Sequence, residues 1–156
     1  MKDTTSDTPL GELINQVRLL FHQAVSTGNQ LHRDAGISMS MRAVLEQLAQ
    51  YGATSVPDMA RRRNVTRQHI QQIVNDLLEA GLVTQTLNPA HKRSHLIAMT
   101  PDGERLFENM RERERAFYTS LATELDGIDL TQLANDLAAV RAAIASRAEQ
   151  IDTVST

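Results

Sequence analysis

The sequence predicts a mostly α-helical fold of about six helices with a single β-hairpin, and three observations carry that expectation. Apolar residues recur at helical spacing through long stretches near both ends of the chain. Between them lie a short helix, a tight turn and a second helix with one apolar and one polar face. Two β-prone runs separated by turn residues follow directly. The chain of 156 residues, 41% apolar and 22% charged, is enough for one ordinary domain with a buried core. Only five aromatics are present, three Phe and two Tyr, so the core must rest on aliphatic residues and Met.

The first helix is expected from Pro9 to about Asp34. Leu10, Leu13, Val17, Leu20, Ala24 and Leu31 follow a seven-residue pattern, with Ile14, Phe21 and Val25 widening the stripe. Gly28 reads as a weak point within it. Gly36 stops this helix and Ser38 caps the second, Met39 to Tyr51, which buries Met41, Val44, Leu45 and Leu48 and ends at Gly52. Pro57 suits the first turn of a third helix, where Asp58 faces the positive end of the dipole. Asn64 tolerates the left-handed turn that closes it. Thr66 caps a fourth helix, Arg67 to Ala80, whose apolar face is Ile70, Ile73, Val74, Leu77 and Leu78 and whose stop is Gly81.

Leu82–Leu87 and Ser94–Met99 read as a hairpin with a basic tip at residues 88–93. Thr100-Pro101 opens a long helix to about Leu125. Its RERERAF stretch alternates in sign and reads as a solvated face. Asp126-Gly127 breaks the chain, and Asp129 with Gln132 forms a capping signal for a last helix running to Ile151. The expected organisation is a disordered tail at 1–8, an N-terminal dimerisation helix at 9–35 and a helix-turn-helix lobe with its hairpin at 38–100. C-terminal dimerisation helices at 101–151 and a frayed tail at 152–156 complete it. Two helical seams at opposite ends of one chain are most economically covered by a second copy, because two-fold dimers dominate soluble oligomers. Leu10, Leu13, Val17, Leu20, Leu133, Leu137, Val140 and Ile144 are the expected interface. The alternative is that the seams pack on each other within one chain.

Composition removes several functions. With no Cys there are no disulfides, thiolate metal sites or thiol redox sensors. So few rings argue against stacking on single-stranded nucleic acid. No apolar run approaches a membrane span, and the polar, acidic N-terminus is no signal peptide, so a cytoplasmic protein with no membrane partner is expected. The net charge of −3 argues against a phosphate-bearing partner until it is divided along the chain. Pro57–Thr100 holds six basic residues (Arg61, Arg62, Arg63, Arg67, Lys92, Arg93) against three acids, for +3, which leaves −6 elsewhere. From Met59 to Asn75 there are four arginines and no acid.

Those charges surround a helix-turn-helix followed by a hairpin wing, so the fold class is a winged helix-turn-helix with terminal helices forming a dimerisation region. The polar face of the second helix presents Gln68, His69, Gln71, Gln72 and Asn75. Amides pair with adenine, and the planar arginine fork matches guanine and phosphate. A Gln-rich face standing alone is usually just solvated, but behind an arginine cluster and before a basic hairpin it favours reading of double-stranded DNA. Arg61, Arg62, Arg67, Lys92 and Arg93 would supply phosphate and groove electrostatics, with Thr66, His91 and Ser94 beside them.

The run from Met39 to Gly103, including DMARRRNVTRQHIQQIVNDLLEAGLV and NPAHKRSHLIAMTPDGE, resembles the MarR family of winged-helix transcriptional regulators. The ELA-like start is Asp58-Met59-Ala60, the helix-closing AGLV is Ala80–Val83, and the LTPxG signature is Met99-Thr100-Pro101-Asp102-Gly103. The resemblance implies a dimer held by its terminal helices, with recognition helices in successive major grooves of a pseudo-palindrome and wings reaching the minor groove. It places Thr66, His69, Gln71 and Gln72 where the family's recognition helix meets bases and phosphates, and Arg93 at the wing arginine of an Asp-x-Arg motif. The acid of that motif is His91 here. Arg63 stands where the family usually has Leu, which leaves it either snorkelling over the core or facing phosphate. Asp76 replaces a commonly basic residue. The expected activity is repression or activation of transcription, with repression relieved by a small aromatic or amphipathic effector the favoured reading and His22, Met39, Met41 and Arg42 as the effector pocket.

Other chemistry is weaker. His91 and His95 are four apart, but on a hairpin, where that spacing does not make a metal pair. His22 and His32 lie on the first helix, where some family members bind zinc or phenolic acids, so a metal-responsive regulator is an alternative. Phosphate-loop, HExxH and GxSxG motifs are absent, so no cofactor, no metal and no enzymatic activity are expected. A winged helix that binds protein is the remaining rival, which the uncompensated arginines disfavour.

Overall fold

The computed structural model describes residues 8–89 and 95–154. The helices are α1 (Pro9–Leu31), α2 (Met39–Tyr51), α3 (Val56–Arg63), α4 (Arg67–Glu79), α5 (Pro101–Ala122) and α6 (Leu130–Val154). The strands are β1 (Thr54–Ser55), β2 (Val83–Leu87) and β3 (His95–Met99). Contacts divide the chain into two compact units, Met1–Ala116 and Phe117–Thr156.

Side-chain caps set most helix starts. Thr8 accepts from the Gly11 amide at 3.0 Å, Ser38 from Met41 at 3.2 Å and Thr66 from His69 at 3.2 Å. Ser55 caps α3 and also donates to the Asp58 carboxylate at 2.6 Å, so α3 begins one residue before Pro57. Asn64 adopts the left-handed conformation, φ 52°, and ends α3 as its residue type allows. α1 stops at Leu31, short of the expected Asp34, and the chain tightens into a 3-10 turn over Arg33–Ala35 before Gly36.

The sheet is three-stranded and antiparallel, in the order β1-β3-β2. The expected hairpin is present, with Val83 opposite Met99 and Leu87 opposite His95. The third strand was not expected. Thr54 and Ser55 pair with Ile97 and Leu96, a contact too short in β1 to leave an alternating pattern in the sequence. The core gathers Val44, Leu45 and Leu48 of α2, Met59 of α3, and Ile70, Val74 and Leu77 of α4 around Ile97, Phe107 and Met110.

Gly28 has a packing role rather than being only a weak point. A Cβ there would meet the Met39 Sδ at 2.4 Å, so α1 and the start of α2 pack closely. Glu114 departs from the expected solvated face. It lies in the RERERAF run but is buried, because His32 and Arg42 converge on it. Its neighbours follow the expectation: Arg111 pairs with Glu108 at 3.3 Å on the exposed side.

In the second unit, Asp129 accepts from the Gln132 amide at 2.9 Å and starts α6 as the capping signal requires. α6 continues past Ile151 to Val154. Leu133 and Ile144 are exposed, and Leu137 and Val140 half-buried. On α1, Leu10, Val17 and Leu20 are exposed and Leu13 is half-buried.

Candidate nucleic-acid interface

α4 meets the core through Ile70, Ile73, Val74 and Leu77, buried at helical spacing. The same spacing leaves Arg67, Gln68, His69, Gln71, Gln72 and Asn75 exposed together. Two of the amides are held in place along the helix. Gln71 donates to Asn75 at 2.9 Å, and Gln72 donates to Asp76 at 3.0 Å. Asp76 therefore orients a neighbouring amide and leaves the second Nε2 hydrogen and Oε1 of Gln72 for other partners.

A cavity of about 410 Å³ separates this helix from the sheet. It is lined by Val56 and Pro57, by Arg67, Gln68 and Gln71 of α4, and by Gln85, His95 and Ile97 of β2 and β3. Gln85 and His95 were absent from the sequence-based set. Gln85 lies opposite Ile97, two residues from His95, so the period of two along a strand puts all three on one sheet face. That face becomes visible only once the register is known. His91, Lys92, Arg93 and Ser94, together with the terminal segments 1–7 and 155–156, lie outside the described residues.

The arginines of α3 have separate partners. Arg61 pairs with Asp58 at 2.9 Å, both on the surface. Asp58 is held below the ordinary aspartate value, first by the Ser55 hydroxyl; burial opposes the shift, and Arg61 and Arg62 add to it. Arg62 lies 4.2 Å above the centre of the Tyr51 ring. Arg63 is exposed and donates to the Ala43 carbonyl at 3.2 Å.

The four expected effector residues occupy different settings. His22 is exposed beside the Phe21 ring, Met39 packs against Gly28, and Met41 is half-buried against the core. Arg42 clamps the Glu114 carboxylate with two nitrogens and reaches Glu46 at 3.1 Å. His32, fully buried, approaches Glu114 at 2.9 Å from the end of α1. Burial would raise the Glu114 pKa, but the hydrogen bonds and charges of Arg42 and His32 outweigh it and hold the carboxyl below its usual value. Among the described residues no three His, Asp or Glu side chains gather as a metal site, and no helix is long and apolar enough to cross a membrane.

A short helix, a left-handed asparagine turn, a second helix with a polar outer face and an antiparallel hairpin define a winged helix-turn-helix protein. Residues 35–94 match the family model described as MarR family. An uncharacterized HTH-type transcriptional regulator of Bacillus subtilis, YdgG, is 32% identical over 119 residues, covering 70% of this chain and 76% of its own. An uncharacterized protein of Mycobacterium tuberculosis, Rv2011c, is 39% identical over 74 residues, covering 47% of this chain; the match spans about half (52%) of that relative's length. The crystal structure of a MarR family transcription regulator superposes with a TM-score of 0.81 at 25% identity, over 90% of this chain and 93% of the other. The chain belongs to the MarR family of transcription regulators.

Proposed function

We propose that this protein is a sequence-specific regulator of transcription that binds double-stranded DNA as a homodimer on a pseudo-palindromic operator. The observation that carries this reading is the exposed row Arg67, Gln68, His69, Gln71, Gln72 and Asn75 on a helix whose other face is locked in the core. Amides on such a row match base edges in a major groove, which is wide enough to admit a helix. Arg61 and Arg62 flank it for phosphate contact, and Lys92 and Arg93 belong to the segment that joins the wing strands. The cavity lined by Arg67, Gln85 and His95 supports a path for the sugar–phosphate backbone beside α4.

Dimerisation through the terminal helices would set two recognition helices about one duplex turn apart. The exposed Leu10, Val17 and Leu20 on α1 and Leu133 and Ile144 on α6 support a partner surface. The family likeness supports repression in the cytoplasm, relieved when a small aromatic or amphipathic effector favours a dimer geometry that no longer fits the half-sites. The test uses a duplex selected from a randomised pool and a random-sequence control, followed by fluorescence anisotropy. Two chains should bind per selected duplex. Gln72→Ala should weaken that complex by about 1–3 kcal/mol while leaving the random duplex nearly unchanged. Equal losses on both duplexes would remove Gln72 from base reading, and one chain per duplex would contradict the dimer.

A further inference from the structure

The cleft between α2 and α3 holds a group that neither the core nor the DNA-reading face explains. Gln47 is only 5% exposed, and neither its amide nitrogen nor its carbonyl oxygen has a hydrogen-bond partner among the described residues. An unpartnered buried amide is costly, so such groups generally have a water, ion or ligand to satisfy them. Gln47 lines a cavity of about 190 Å³, together with Gln50 and Tyr51 of α2 and Arg62 and Arg63 of α3. Two guanidinium groups therefore border the same small space as two amides.

Each arginine is held at that border by a contact that leaves donors to spare. Tyr51 supports the Arg62 guanidinium from below at 4.2 Å, and the Ala43 carbonyl takes one hydrogen of Arg63 at 3.2 Å. A guanidinium carries five donors. Glu46 also lines the cleft with its carboxylate directed to Arg42 at 3.1 Å; Arg42 is shared with Glu114, so the favourable balance at the cleft comes from two guanidinium groups against this one carboxylate. The space is too small for a drug-sized molecule and is rich in donors, which suits a compact oxyanion.

We infer that this cleft is a binding site for a phosphate-like oxyanion, with Arg62 and Arg63 as charged donors and the Gln47 amide as the neutral one. The same chemistry has two sources, a free oxyanion or a backbone phosphate of bound DNA. The second source rests on the DNA-binding reading above; the first does not.

The experiment has two arms, each run on the wild type, Gln47→Leu and Arg62→Gln. Leu replaces the unpartnered amide with an apolar group of similar size, a change close to neutral for folding, and Arg62 is exposed, so both variants should fold. The first arm follows the thermal midpoint in inorganic phosphate against chloride at equal ionic strength. The wild-type midpoint should rise logarithmically with phosphate, as mass action requires, and the rise should vanish in both variants. The second arm measures affinity for random-sequence duplex. If a backbone phosphate is the occupant, both variants lose affinity on every sequence and inorganic phosphate competes with DNA in the wild type only. A phosphate response with unchanged DNA affinity in Gln47→Leu, whose residue lies outside the proposed DNA contacts, identifies the free oxyanion as occupant. A midpoint that rises equally in all three proteins, or in none, with Gln47→Leu binding duplex as the wild type does, overturns the site. Failure of the wild type to bind any duplex would defeat the proposed function while leaving the first arm to decide the cleft.

Discussion

Glu114 carries two burdens at once, because α2 sends Arg42 and the end of α1 sends His32 to the same carboxylate. Removing one member of a buried ion cluster leaves the others without compensation. Glu114→Ala should therefore cost on the order of 3 kcal/mol, the low end for such losses since both Glu114 and Arg42 keep some solvent contact. The pH dependence follows from the direction of the shift. A carboxyl held below its ordinary value of 4.5 contributes its full stabilisation above that value and loses it as pH falls through the lower, folded-state value. Denaturant unfolding between pH 7 and pH 3 should show a steep acid loss in the wild type. Glu114→Gln should be less stable at pH 7 and show a shallower loss, and parallel curves would contradict this assignment. No local pattern in the sequence exposes the cluster. His32 and Glu114 are 82 residues apart, and Glu114 sits among alternating charges whose neighbours are solvated.

At the scale of elements, the approach of α5 to the α4–β2 junction is set by one glycine. A Cβ on Gly103 would fall 2.0 Å from the Leu82 carbonyl oxygen, which already accepts from the Thr100 amide at 3.0 Å. Thr100 in turn donates its hydroxyl to the Gly81 carbonyl at 2.8 Å and accepts from the Gly103 amide at 3.1 Å. The Thr-Pro-x-Gly sequence thus caps a helix and fits it against backbone in the same four residues. Gly103→Ala should lower stability by about 1–3 kcal/mol in chemical denaturation, because the obstacle is backbone rather than a flexible side chain. A loss near zero would mean that α5 can shift freely there. Helices with strong local signals were legible in this way: caps at Ser38, Thr66 and Asp129, and the stops at Asn64 and Gly81. β1 was not, since two residues carry no period and its partners lie more than forty residues downstream. Gln85 was hidden for the same reason, and His95 was visible as a donor but not as a neighbour of α4, because only strand register brings both to the face of Gln68 and Gln71.

Across the whole molecule, the net charge of −3 hides a division that the fold turns into a surface. The acid-free stretch from Met59 to Asn75 becomes the exposed ends and outer faces of α3 and α4, while the apolar positions between them close the core. On the proposed DNA-binding reading, an acidic remainder would disfavour contact through the other faces. If phosphates are the main source of affinity, binding must release condensed counterions in proportion to the contacts made. The most direct measurement is the affinity of the full chain for duplex DNA from about 50 to 200 mM salt. The expected result is a linear fall of log K against log salt, steep enough to lose roughly 10³-fold or more over that range if six or more phosphates are neutralised by the dimer. A flat dependence, or no binding at the lowest salt, would contradict a DNA-binding role for the arginine-flanked helix.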